Sequence, residues 1–291
     1  MKFGLAVTLF SPNVNQINWV ANISSQFDVC VAYDNTDGGI DVLYSKVLND
    51  AGIFLISNGI NEGLSIAYNE MLTFLSNITG VEFALVLDQD SNFDIAAINK
   101  AINIIKEIDS PKIGVYCPNV LYLHSKKNDS LNFPTVKRKT VHPNKAVTVS
   151  VSWCISSGSF IKLPIYKEIG GFDNAYFIDR IDKDYCKRLI LAGYKIEMLL
   201  DVYLFQSLGN VKHLFFFKTF EHTSLRNYYI ARNRIYYFRK FNDGYAFFKI
   251  LLLTTKHILK VLLFESYKLK KLYMIYNGVR DAMLGKFGKI S

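Results

Sequence analysis

An α/β fold with a mostly parallel sheet and flanking helices follows from three features of this 291-residue chain. Short apolar runs of strand length recur through the first 120 residues, stretches of helical periodicity lie between them, and polar residues sit just beyond the runs. Strands alternating with helices imply right-handed crossovers, which cover a parallel sheet on both faces. With 50% hydrophobic and 20% charged residues, the chain buries enough apolar surface to offset its conformational entropy, and disorder is excluded. The length suits one large domain with an appendage, or two small domains.

The expected strands run from Phe3 to Leu9, Val29 to Tyr33, Ile53 to Ile56, Phe83 to Leu87 and Ile113 to Tyr116. Between the third and fourth, Leu64, Ala67, Tyr68, Met71, Leu72 and Leu75 recur at the spacing of one helix face. Ile95 to Ile108 repeats that pattern. Lys126 to Lys145 is polar, basic and punctuated by proline, which predicts a surface loop or hairpin. Apolar sequence returns from Ser150 to Ile161 around Ser157-Gly158, and Gly170-Gly171-Phe172-Asp173 marks a turn. A helix is expected from Asp182 to Leu191 with Gly193 as its stop, then a strand from Lys195 to Leu200.

Several classes are excluded or disfavoured by what the chain lacks. No window of about 18 uncharged apolar residues predicts a membrane span, and no small-residue cleavage site follows the apolar run at Phe3 to suggest a secretory signal. Cys30, Cys117, Cys154 and Cys186 are too dispersed for a metal or redox pair and read as reduced core thiols. No glycine-rich dinucleotide fingerprint follows the first strand, and no P-loop occurs. The formal charge of +9 is unevenly distributed: residues 212–291 hold 16 Lys and Arg against 4 Asp and Glu, whereas residues 1–211 hold 18 against 21. An anionic partner is therefore expected on the C-terminal side.

Ligands of open α/β sheets bind beyond the carboxyl ends of the strands, where this chain has Asp34-Asn35, Asn58 and Asp88-Gln89-Asp90. Asp88 and Asp90 emerge one residue apart, so both can converge on one hard cation; the simpler reading is a helix cap. A second acidic cluster, Asp179, Asp182 and Asp184, precedes the expected helix. Its members are either first-turn residues favoured by the helix dipole or a general base for a hydroxyl nucleophile, and spacing alone does not assign the roles.

Taken together, certain stretches resemble the inverting glycosyltransferases of family 2, in particular bacterial rhamnosyltransferases of O-antigen and polysaccharide synthesis. They are Val7-Thr8 to Pro12, Asp34-Asn35, NEGLSIAYN from Asn61, LDQDS from Leu87, SSGS from Ser156, the run Gly170 to Arg188, and RNYYIARNRIYY from Arg226. The resemblance implies a GT-A nucleotide-diphospho-sugar transferase fold over residues 1–211, with a basic, aromatic-rich helical segment over 212–291. It implies that Asp34 contacts the base or ribose, that Asp88 and Asp90 form a DxD element with Asp90 nearest a Mg2+ or Mn2+ ion, and that Asp182 is the general base. Thr8, Asn35, Asn61, Ser157, Gly158, Asp179, Arg226 and Arg232 are the further substrate-binding candidates, the two arginines for the diphosphate.

Relatives carry a His two residues before Leu-Gly, where this chain has Gln206. An amide oxygen ligates a metal without acting as an imidazole, and His213 or His222 is an alternative ligand. Residues 245–263 predict an amphipathic helix with Phe247, Phe248, Leu251, Leu252, Thr255, Ile258, Leu259 and Leu262 on one side and Lys249, Lys256 and Lys260 on the other. Such a helix either lies on an anionic membrane or packs against the catalytic domain or a second subunit as a homodimer contact. The resulting expectation is a cytoplasmic enzyme, peripheral to the inner face of the bacterial membrane, moving L-rhamnose from dTDP-β-L-rhamnose to a lipid-linked oligosaccharide. The alternatives are another donor (galactofuranose, glucose or N-acetylglucosamine), a non-catalytic nucleotide-sugar-binding protein, or a nucleic-acid binder, against which the acidic first 211 residues argue.

Overall fold

The computed structural model describes residues 1–124, 127–133, 147–207, 211–214, 217–241 and 244–290. The chain opens with β1 (Lys2–Leu9), α1 (Val14–Ser24), β2 (Val29–Asp34), α2 (Val42–Asp50), β3 (Ile53–Ser57), α3 (Leu64–Ser76), β4 (Val81–Asp88) and α4 (Ile95–Ile108). Helix α1 begins on a capping box in which Asn13 and Gln16 exchange side-chain and backbone bonds. Asp41 and Asp94 cap α2 and α4 by accepting from Leu43 N and Ala96 N. Asp94 thus performs the capping expected of Asp88 or Asp90, and leaves that pair with no helix to start.

Strands β3, β2, β1 and β4 pair in that order, all parallel. Beyond them lie β5 (Ile113–His124), β6 (Lys127–Phe133), β7 (Thr148–Val151), β8 (Ser159–Lys162) and β9 (Lys195–Ser207). Strand β8 enters antiparallel between β4 and β5, β9 runs parallel to β5, and β7 closes the edge antiparallel to β9. The sheet is therefore mixed, with its long parallel half on the N-terminal side. Strand β6 pairs antiparallel with β5, so 127–133 of the expected loop or hairpin is a strand; the rest of 126–145 lies outside the described residues.

Alternation along β1 distributes side chains to the two faces. Leu5, Val7 and Leu9 pack with Ile17, Val20, Ile98 and Ile102 on one side, and Ala6 packs with Ala67, Met71 and Leu72 on the other. Both faces being covered, the strand is apolar throughout. Each fully buried aliphatic side chain contributes about 1.5–3 kcal/mol. All four cysteines are buried free thiols.

Helices α5 (Leu163–Ile169) and α6 (Ile181–Leu191) precede β9. After it come the hairpin β10 (Val211–Leu214) and β11 (Phe217–Phe220), then α7 (Ser224–Lys240), α8 (Ala246–Phe264) and α9 (Lys268–Met283). Helix α7 joins the C-terminal helices to the sheet layers. Its Lys240 pairs with Asp173 at 2.6 Å and Asp184 at 2.7 Å, and its Tyr236 donates to Asp173 at 2.8 Å. Arg232 is 1% exposed and donates to Gly288 O at 2.6 Å, Ala175 O at 3.3 Å and Asn233 Oδ1 at 3.0 Å, tying the C-terminal tail to the turn before α6. The expectation of Arg232 as a diphosphate ligand is corrected accordingly: its guanidinium is engaged in the interior, between Tyr228 and Tyr229.

On α8 the inward stripe is Ala246, His257 and Val261, with Ile250, Leu253 and Thr254 half-buried. The broad apolar side read from the sequence, including Phe247, Phe248, Leu251, Leu252, Leu259 and Leu262, is exposed; it does not pack on the catalytic layers. No helix among the described residues is long and apolar enough to cross a membrane.

Gly278 lets α9 cross closely over α7. A Cβ there would stand 2.4 Å from Tyr228 O, a backbone atom that cannot rotate away. Gly278→Ala is expected to lower unfolding stability by about 1–3 kcal/mol, read as a reduced urea midpoint with an unchanged denaturant slope.

Candidate active site

A cleft of about 660 Å³ opens at the carboxyl ends of the central strands. Thr8 reaches it from β1, Asp88 and Asp90 from the end of β4, Ser157 from the turn before β8, Asp179 and Asp182 from the start of α6, Gln206 from the end of β9 and Arg226 from α7. Residues separated by more than 200 positions thus share one wall, and two tethers bring them there. Gln89 accepts from Phe10 N and donates to Phe10 O, both at 2.8 Å, locking the end of β4 to that of β1. Asn92 exchanges backbone bonds of 3.2 and 3.1 Å with Phe205, which draws the end of β9 to the cleft rim.

Asp88 accepts from the Tyr68 hydroxyl at 3.0 Å, and its backbone N–H donates to Ser157 Oγ at 3.1 Å; Ser157 in turn bonds Ser91. Burial, and then the neighbouring Asp90, push the Asp88 carboxyl up to about 6. Two carboxylates forced together at a cleft wall are a hard-oxygen donor pair that a divalent cation would relieve. Thr8 Oγ1, buried at the same place, has no hydrogen-bond partner. Among the described residues no group of three or more His, Cys, Asp and Glu is arranged to hold a metal. The Asp88 and Asp90 pair by itself fits an ion held by one or two carboxylates, with substrate oxygens completing its shell. His222 does not line the cleft, and burial holds its imidazole down at about 4; the side chain of His213 lies outside the described residues.

The second acidic cluster divides by function. Asp184 is fully buried and belongs to the interior, paired with Arg188 at 2.6 Å and Lys240 at 2.7 Å and accepting from Tyr176. Asp182 faces the cleft. Its Oδ1 accepts from Ser156 N at 3.0 Å and from Ser156 Oγ; no ion pair within 4 Å is made to it among the described residues, and burial pushes its carboxyl up to about 7 despite both bonds. A carboxylate with that affinity for a proton is matched to general-base work near neutral pH.

The chain enters α6 through two consecutive left-handed residues, Asp179 at φ 68° and Arg180 at φ 63°, a conformation costing roughly 1–2 kcal/mol per non-glycine residue. Asn233 of α7 offsets this by donating to Ile178 O at 2.6 Å and Asp179 O at 3.2 Å. Helix α7 thereby sets the approach of Asp182. Tyr68, Ser156, Arg180, Lys183 and Asn233 are site residues that sequence reading missed. Tyr68 is indistinguishable by periodicity from its apolar helix face, and Ser156 differs from Ser157 only in which way the turn points it.

Other expected ligands stay outside the cleft. Asp34 is 1% exposed and its oxygens accept from Thr36 N, Ile40 N and Ser57 Oγ, so it organises the loop after β2. Asn35 accepts from Glu62 N, and Asn61 bonds Asp37 and Gly63, which together fold the entry to α3. Gly158 stands at φ 85°, and its N–H donates to Val86 O at 2.7 Å. In this conformation these four residues build the site's margins and do not line it.

No family model matches the chain. In sequence it is similar to the dTDP-rhamnosyl transferase RfbF of Shigella flexneri, 23% identical over 241 residues, which is 80% of this chain and 79% of that protein. It also resembles the rhamnosyltransferase WbbL of Escherichia coli K12, 30% identical over 107 residues, covering 36% of this chain and 40% of WbbL. Among solved structures, GalNAc-T7 with UDP, GalNAc and Mn2+ superposes with a TM-score of 0.56 at 8% identity, over 71% of this chain and 44% of that one. S. aureus TarS 1–349 in complex with UDP superposes with a TM-score of 0.51 at 13% identity, over 98% of this chain and 72% of that one. The fold is that of the GT-A glycosyltransferases, and the sequence is rhamnosyltransferase-like.

A carboxyl whose pKa is raised by folding binds its proton more tightly in the folded state. Its contribution is present below the unfolded value of about 4 and is lost as pH rises through about 7. Asp182→Asn, which keeps the Ser156 bonds and removes the charge, is therefore expected to melt at least about 2 °C above the unmodified protein at pH 8. The gap should shrink by pH 5 in paired thermal scans.

Proposed function

We propose that this chain, a glycosyltransferase of GT-A fold, moves L-rhamnose from dTDP-β-L-rhamnose to a hydroxyl of a lipid-linked glycan in cell-surface polysaccharide synthesis. One observation carries the reading: Asp182, with its raised proton affinity, shares a single cleft with the paired carboxylates Asp88 and Asp90. Kinship with two rhamnosyltransferases supports the sugar, and the UDP-bound neighbours support a nucleotide-sugar donor.

In this mechanism the acceptor hydroxyl approaches Asp182 and gives it a proton as the oxygen attacks the anomeric carbon. The bond to the diphosphate breaks on the opposite face, so one displacement inverts the centre, as in family 2 enzymes. Ser156 keeps the carboxylate oriented, and partial burial keeps it basic. Asp88 and Asp90, with Gln206 near them on the same wall, are the residues that would hold Mg2+ or Mn2+. Such an ion supplies neutralisation of the charge on the departing nucleoside diphosphate.

Residues 1–211 supply the carboxylates of the catalytic unit in this reading, α7 completes the cleft with Arg226 and Ile230, and α8 is the membrane-side element. The exposed Phe247, Phe248, Leu251, Leu252, Leu259 and Leu262, with lysines along the same helix, suit peripheral attachment to the anionic cytoplasmic leaflet.

Asp182→Asn is expected to reduce transfer at least about 100-fold while the dissociation constant for dTDP-rhamnose changes less than about threefold; full turnover by the variant would overturn the base assignment. Excess EDTA is expected to abolish transfer and added Mg2+ or Mn2+ to restore it. Radiolabelled rhamnose incorporation reads both.

A further inference from the structure

The wall of the cleft beside Asp88 is built in part from α3, a helix to which the transferase reading gives no task. Its start is fixed: Leu64 N donates to Phe177 O at 2.8 Å and Ser65 Oγ donates to Tyr176 O, so the first turn is tied to the segment that leads into α6. Leu64 and Tyr68, one turn apart on the same face, both line the cleft. The rest of that face, Ala67, Met71, Leu72 and Leu75, belongs to the apolar core. Tyr68 is therefore the place where an apolar helix face presents a polar group to the site.

Tyr68 is 3% exposed, and its ring packs on Phe172 with centroids 5.3 Å apart. A phenol enclosed in this way turns about only two side-chain torsions, so its hydroxyl is delivered to a fixed position. That position is 3.0 Å from Asp88 Oδ1. Burial, and then the charges of Asp88 and Asp182, push the phenol well above its ordinary value, so the hydroxyl stays protonated and donates. Asp88 needs such a partner. The last torsion of a carboxyl side chain is broad when nothing holds it, and the charge of Asp90 acts on it at close range. Ser157 secures the backbone N–H of Asp88, and Tyr68 secures its carboxyl.

We propose that Tyr68 is a positioning residue for the divalent-cation site: its hydroxyl sets the orientation in which the Asp88 carboxyl serves a cation together with Asp90 and the donor diphosphate. The inference rests on the reading of Asp88 and Asp90 as metal ligands, and adds to it a residue from a different element. Carboxylates that hold a metal depend on hydrogen bonds of this kind, and loss of one weakens metal binding by about 10- to 100-fold. The placement also links the two acidic clusters. One helix start is tied to the segment before Asp182 and carries the group that orients Asp88.

The test is calorimetric titration of dTDP into the full chain, in EDTA and over a series of Mn2+ concentrations, for the unmodified protein, Tyr68→Phe and Tyr166→Phe. Tyr68→Phe removes one oxygen and keeps the ring against Phe172. Tyr166 packs on the same Phe172, with centroids 6.3 Å apart, and donates to Asn69 Oδ1 at 2.7 Å, so Tyr166→Phe controls for loss of a hydroxyl from that aromatic cluster. Mn2+ is expected to tighten dTDP binding in all three, with the Mn2+ midpoint raised at least about tenfold in Tyr68→Phe alone. Dissociation constants in EDTA should agree within about threefold. In transfer assays Tyr68→Phe should show the same shift in Mn2+ requirement and, at saturating Mn2+, a maximal rate within about threefold of the unmodified protein's. An unshifted midpoint in Tyr68→Phe would overturn the assignment. An equal shift in Tyr166→Phe would make the effect one of packing, and weakened dTDP binding by Tyr68→Phe in EDTA would make Tyr68 a nucleotide contact; either result also overturns it. Failure of the metal reading is distinct: dTDP binding by the unmodified protein would then be indifferent to Mn2+, and both inferences would fall.

Discussion

A carboxylate held partly out of water without a paired cation is the constraint around which this molecule is arranged. Asp182 gains its affinity for protons from burial, and burial of a charge is tolerated because Ser156 gives it two hydrogen bonds. Both partners depend on awkward backbone: Ser156 sits in a turn that needs Gly158 in a left-handed conformation, and Asp182 follows two non-glycine residues in the same region. Val86 O accepts from Gly158 N–H at the first of these segments, and Asn233 donates to the Ile178 and Asp179 carbonyls at the second, which is the strained one.

That dependence explains why the C-terminal helices are part of the site. Helix α7 carries Asn233, which restrains the entry to α6, and Lys240, which compensates Asp184 two residues beyond Asp182. Arg232 draws the tail back onto the turn at Ala175. The segment's positive charge is accordingly divided. Part is spent internally on buried carboxylates such as Asp184 and Glu265, and part faces the cleft unpaired. The net charge per segment is a sum over these two populations and does not separate them.

Much of the sheet was legible in order and type. The runs beginning at Phe3, Val29, Ile53, Phe83 and Ile113 all became strands, and Ile95–Ile108 became a helix with those bounds, because apolar period and capping residues are local signals. Antiparallel insertion of β8 between β4 and β5 was not legible, since pairing partners far apart in sequence leave no local mark. The site was legible where chemistry sits at strand ends: Thr8, Asp88, Asp90, Asp182 and Gln206 meet in one cleft. It failed for Arg232 and Asp34. An arginine in a polar-looking helix and an aspartate after a strand give no sign of whether their hydrogen bonds will be spent inside the protein.

The sequence by itself determined the alternation of strands and helices, the acidic residues beyond the strands, and the concentration of positive charge after residue 211. Each is set by composition and spacing along the chain. Tertiary structure alone decided that Asp179 and Asp182 meet the cleft while Asp184 is buried, which arginines are consumed by carbonyls and which remain unpaired, and which side of α8 faces outward. Those outcomes depend on desolvation and on partners brought from 26 residues away, as for Asp182, or from 56 and 57, as for Arg232, quantities that exist only once the layers have packed.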